Sequence, residues 1–94
     1  MWESYKKGFK SYLRMERSLS ENSITAYMED VHKLTSYFEG LEQSPQPKDV
    51  SRKDLEQFVK WVVDLGLAPH TQARIISGIK AFFRFLEIDE VISD

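Results

Sequence analysis

Ser20-Glu21-Asn22-Ser23-Ile24-Thr25-Ala26-Tyr27-Met28-Glu29-Asp30-Val31-His32-Lys33-Leu34-Thr35-Ser36-Tyr37-Phe38-Glu39-Gly40 is the stretch on which the fold turns. Its apolar positions Ile24, Tyr27, Met28, Val31, Leu34 and Phe38 recur at steps of three and four, the period of an α-helix and not the alternation of a strand. Ser20 stands where an N-cap must stand, and Leu19 and Ile24 flank it as a hydrophobic staple. Gly40 closes the run. A helix this long with one apolar stripe is stable only when other elements cover that stripe.

The covering elements are legible on both sides. Upstream, Trp2, Tyr5, Phe9, Tyr12 and Leu13 share one helical face over residues 2–16, with Gly8 inside the run. Downstream, Gln43 to Lys48 contains Pro45 and Pro47 and predicts a short extended loop. Ser51 and Asp54 then form a capping-box signature, with Val50 and Leu55 as its staple, and Phe58, Val59, Val62 and Leu65 carry a third helix to Gly66. Pro69 suits the first turn of a fourth helix, which holds Ile75, Ile76, Ile79, Phe82, Phe83 and Leu86. No strand-like alternation persists. The expected class is all-α, a compact four-helix bundle forming a single domain over residues 1–94.

Composition narrows the functions. With 94 residues, 41% hydrophobic and 13% aromatic, the chain has material for one core without disulfides or metal. The absence of cysteine excludes thiolate metal sites and cysteine nucleophiles, and His32 and His70 stand without partners at ligand spacing. No cofactor and no metal are expected. No apolar run approaches the ~20 residues of a membrane span, and the start of the chain lacks a secretory signal, so a cytoplasmic protein without membrane contact is expected. Glu29 and Asp30 are adjacent and not one turn apart, so they do not face each other as an acid–base pair. No glycine-rich phosphate loop is present, because the four glycines are isolated.

The net charge of -2 hides a segregation. Residues 2–17 carry five cations against two acids, and residues 68–86 carry Arg74, Lys80 and Arg84 with no acid. Residues 20–39 carry one lysine against four acids, and the tail from Glu87 to Asp94 carries four acids. Such alternation predicts a polarised surface, and polarity decides where a polyanion docks.

Two blocks carry a family resemblance. Ser20 to Val31 resembles a pattern of small polar cap, Asn-Thr, aliphatic residue and Tyr-x-x-Asp-aliphatic, with Ser23 where threonine is usual. Thr71-Gln72-Ala73-Arg74-Ile75-Ile76-Ser77-Gly78-Ile79-Lys80-Ala81-Phe82-Phe83-Arg84-Phe85-Leu86 resembles the pattern Arg-x-aliphatic-Ser-small-aliphatic-basic-x-Phe-Phe-x-aromatic-Leu. Together, in order and spanning essentially the whole chain, they resemble the amino-terminal core-binding, SAM-like domain of tyrosine recombinases of the Xer and phage-integrase type. The resemblance implies a domain that clasps duplex DNA during integration and recombination, while a separate domain, not expected within this chain, holds the catalytic tyrosine. It implies double-stranded DNA as partner, other recombinase protomers as partners of the full-length protein, an isolated domain that is monomeric, and no catalytic residue here.

The residues expected to hold DNA lie at two helix starts and along one helix. Ser20, Asn22 and Ser23 mark the first start, and His70, Thr71 and Gln72 the second. Helix N-termini offer free N–H groups and partial positive charge, and such side chains reach phosphates or base edges. Arg74, Ser77, Lys80 and Arg84 follow along the fourth helix as one acid-free stripe. Each also has a plainer role. Ser20 is a cap, the cations can be a solvated face, Ser77 and Gly78 can admit a close helix, and His70 can be a surface residue. Tyr27, Phe82, Phe83 and Phe85 are read as core. Trp61 is expected to be partly exposed. The competing function is a helical protein-protein interaction module that docks a basic partner on the acidic second helix and tail.

Overall fold

The second and third long helices begin at capping serines and the fourth at a proline. In the computed structural model, which describes residues 2–89, 91 and 92, the helices are α1 (Glu3–Met15), α2 (Glu21–Glu39), α3 (Arg52–Asp64) and α4 (Pro69–Ile88). The Ser20 hydroxyl accepts from the Ser23 N–H at 3.2 Å, which satisfies one of the donors that a helix start leaves open. Ser51 and Asp54 form a reciprocal box, with Asp54 N–H donating to the serine hydroxyl at 3.1 Å and Ser51 N–H to the carboxylate at 2.8 Å. Pro69 opens α4, where its missing N–H is no loss.

Two local expectations are corrected. The proline loop is not simply extended, because Pro47–Asp49 forms a single 3-10 turn; the fixed φ of Pro47 suits its first position. α3 ends at Asp64, one residue before Leu65, and Gly66 takes the left-handed conformation (φ 76°) that terminates a helix without a Cβ penalty.

The core is aromatic. Trp2, Phe9, Phe38, Phe58 and Phe82 are fully buried. Phe9 meets Phe82 edge-on at 5.2 Å and Phe85 at 5.7 Å, and Trp2 stacks on Phe38 at 5.7 Å. A second cluster, Tyr37, Phe58 and Trp61 with centroids 5.2 to 5.8 Å apart, seats α3. Such pairs add about 0.5–1.5 kcal/mol each beyond burial, so rings on α1, α2 and α4 lock the three long faces together. Tyr27 and Phe83 are half-buried against this core and Phe85 is buried, as the spacing predicts. Trp61 is half-buried, packed on Tyr37 and Phe58.

The most extensive packing joins α2 to α4. Gly78 lies at this crossing, where a Cβ would stand 3.0 Å from Asp30 Oδ2 and 3.1 Å from Asp30 Cβ. Among the described residues no helix is long and apolar enough to cross a membrane, and no group of three or more His, Asp or Glu side chains is gathered to hold a metal.

Candidate nucleic-acid interface

The α2/α4 crossing brings together residues that are half the chain apart. Ser23, Ala26, Tyr27 and Asp30 from α2 and Arg74 and Ser77 from α4 line one open cleft of about 170 Å³. Ser23 sits in the first turn of α2 because Ser20 caps it, and the Ser20 hydroxyl also donates to the Ser23 hydroxyl at 3.1 Å. Arg74 and Ser77, three residues apart, lie on the flank of α4 that borders α2.

Asp30 is the residue of this cleft that the sequence reading missed. It is 1% exposed, and its Oδ1 accepts from the Arg74 guanidinium at 2.9 Å. Burial pushes the Asp30 carboxyl above its ordinary range, opposed by the hydrogen bond and charge of Arg74. The same contact raises the guanidinium's pKa. Oδ2 has no partner among the described residues. The signal in the sequence was a carboxylate at position 30 between the apolar positions Tyr27, Val31 and Leu34, on a stripe where an acid must be paired if it is buried.

The acid-free stripe is therefore acid-free only along the chain. Folding brings Asp30 to Arg74, and Glu87 lies 4.0 Å from Arg84 on the next turn. Nor do the four stripe residues share one neighbour. At about 100° per residue, Lys80 has rotated well away from Arg74. It borders an apolar groove of Leu55, Phe58, Val59, Ile76 and Ile79 between α3 and α4. Lys80, Arg84 and Ser77 are exposed, as are Ser20, Asn22 and His70, whereas Ser23, Thr71 and Gln72 are half-buried. The Gln72 amide N–H donates to the Leu67 carbonyl at 2.8 Å, so one of its donors is engaged in bracing the turn before α4.

The basic segment of α1 is also partly spent. Lys6 is buried, pairs with Glu3 at 2.8 Å and lies 3.4 Å from His32 Nδ1. That pairing holds the exposed Glu3 carboxyl below the usual range. Arg14 reaches both oxygens of Glu21 at 3.2 Å, tying the end of α1 to the start of α2. Lys7 and Lys10 are exposed.

Residues 7–89 match the family described as phage integrase, N-terminal SAM-like domain. The chain is 33% identical over 85 residues to the tyrosine recombinase XerD of Listeria monocytogenes serovar 1/2a, covering 90% of this chain and 29% of that protein. It is 30% identical over 84 residues to the tyrosine recombinase XerC of Pediococcus pentosaceus (89% of this chain, 28% of that protein). It is 35% identical over 89 residues to a tyrosine recombinase of Thermosipho africanus (89% and 30%). The chain thus spans less than a third of the length of these relatives. No solved structure matches it.

Proposed function

The chain belongs to the phage-integrase N-terminal SAM-like family, and from that premise we propose that it is the module with which a tyrosine recombinase holds duplex DNA, itself without catalytic residues. One observation carries the reading: the starts of two sequence blocks meet in the α2/α4 cleft, where Ser23, Arg74 and Ser77 present two hydroxyls and a half-exposed guanidinium side by side. Hydroxyls and guanidinium together are donors suited to a phosphate oxygen. Around this centre Ser20, Asn22, His70, Thr71 and Gln72 supply the two helix starts. Lys80, turned toward α3, and Arg84, 4.0 Å from Glu87, add positive charge elsewhere on α4 and do not continue the cleft. The parent protein would carry out site-specific strand exchange in the cytoplasm with other protomers, its chemistry lying in another domain.

The overall charge of -2 sets the expected strength. Binding is weak and salt-sensitive, with log affinity falling against log salt by about 0.9 per phosphate neutralised. Replacing Arg74 and Lys80 together by alanine is expected to lower both affinity and slope for a short duplex; wild-type binding by that variant would sink the reading. The rival reading, an acidic docking face, loses two of the four acids of α2, since Glu21 is held by Arg14 and Asp30 by Arg74.

A further inference from the structure

Asp30 poses a question that DNA binding by cations leaves open. Burying a carboxylate is expensive, and a buried ion pair seldom repays the loss of hydration better than apolar packing would. Here the arrangement is built around the acid nonetheless. Position 78 is glycine, where any Cβ would crowd Asp30, and Oδ2 is left without a partner among the described residues. The bond is single-pronged, through one terminal nitrogen of Arg74, so the other donors of a half-exposed guanidinium are not consumed by it.

We propose that Asp30 is a positioning residue: by holding one arm of Arg74 it fixes the guanidinium at the mouth of the α2/α4 cleft, its free donors turned to a single backbone phosphate of duplex DNA flanked by Ser23 and Ser77. This rests on the DNA-binding reading. The chemistry has a trade-off. The pair is neutral overall, so it offers little attraction at a distance, but its donors are oriented before the phosphate arrives and lose less freedom on contact. Lys80 and Arg84 supply the long-range attraction, and the cleft fixes register.

The test is a comparison of Asp30→Asn with Arg74→Ala, by fluorescence anisotropy on a short labelled duplex between about 50 and 200 mM salt. Charge alone predicts that Asp30→Asn, which removes an acid, binds more tightly with a steeper salt slope. Positioning predicts the opposite: weaker binding, and a slope shallower by about 0.9, so that the wild-type advantage shrinks about 3.5-fold across that range. Arg74→Ala should then add nothing in the Asp30→Asn background. Tighter binding, an unchanged slope or additive losses would overturn the proposal while leaving DNA binding intact. A wild-type chain that ignores duplex DNA would take down the functional reading, and the proposal with it. If Asp30→Asn does not fold by circular dichroism, Arg74→Gln decides. It keeps one N–H for Asp30 but carries no charge, so it should lose the slope as alanine does, and a wild-type slope overturns the proposal. Inorganic phosphate should displace the duplex no better than chloride at equal ionic strength. Selective displacement by phosphate would make the seat one for free anions and overturn its assignment to the DNA backbone.

Discussion

α4 makes two seams of opposite character. Against α1 it sets Phe82 and Phe85 among Phe9 and Tyr12, rings 5.2 to 5.7 Å apart with no charge between them. Against α2 it sets Arg74, Ser77 and Gly78 beside Asp30 and Tyr27, with a buried carboxylate at closest approach. The first seam is the kind of packing that stabilises a small domain, since apolar contact tolerates no water and needs no partner group. The second is the kind whose desolvation the ion pair seldom repays better than apolar packing would, and its proposed task is to orient Arg74. One helix thus carries stability on one flank and the candidate interface on the other, and substitutions should separate the two.

The largest effect is expected at the aromatic seam. Phe82→Ala should lose about 3–5 kcal/mol in denaturant unfolding, a large share of the stability of so small a domain. Next comes the glycine pair. Gly78→Ala should cost about 1–3 kcal/mol, because its Cβ meets the body of Asp30 and the helices must part. Gly8→Ala meets only the ring edge of Phe85, at 3.1 Å, and gains up to about 1 kcal/mol of helix propensity, so it should stay within about 1 kcal/mol of wild type. Equal costs at the two glycines would erase the distinction between the seams.

The caps sharpen it at smaller scale. Ser51→Ala and Ser20→Ala should each cost about 1 kcal/mol of stability, since each removes one helix-start acceptor. Only Ser20→Ala should also weaken DNA binding, because only Ser20 borders the residues of the cleft. Smallest is a pH effect. Burial raises the Asp30 carboxyl, so the folded chain binds that proton more tightly than the unfolded chain. Its contribution to stability is therefore greatest below an unfolded pKa of about 3.9 and is lost as pH rises through the folded value. The stability of wild type relative to Asp30→Asn should fall as pH rises above the unfolded value of about 3.9, as read from denaturant midpoints; a rise would contradict the direction of the shift.

The helices were legible because their determinants are local. Ser20, Ser51 and Pro69 each sit within a few residues of what they cap or start, and the apolar stripes of α2 and α4 name their own buried faces. The cleft was legible only in outline. The motif blocks pointed to Ser23, Arg74 and Ser77, but nothing in their spacing says that Asp30 reaches Arg74 across 44 positions, or that Glu3 and His32 surround a buried Lys6. Counting charge along the chain failed for the same reason, since the acid that neutralises Arg74 comes from another helix. The turn of Gln72 onto Leu67 depends on how α4 is entered, which side-chain type does not specify.

The central claim is that duplex DNA seats at the α2/α4 cleft, on the face formed by the starts of those two helices, with Lys80 and Arg84 acting on it through charge at a distance. Amide chemical-shift mapping of the chain during titration with a short duplex tests this most directly. The account predicts shifts gathered at Ser20 to Ser23 and at His70 to Ser77, fading as salt is raised. Shifts confined to α3 or to the outer face of α1, or a spectrum that the duplex leaves unmoved, would contradict it.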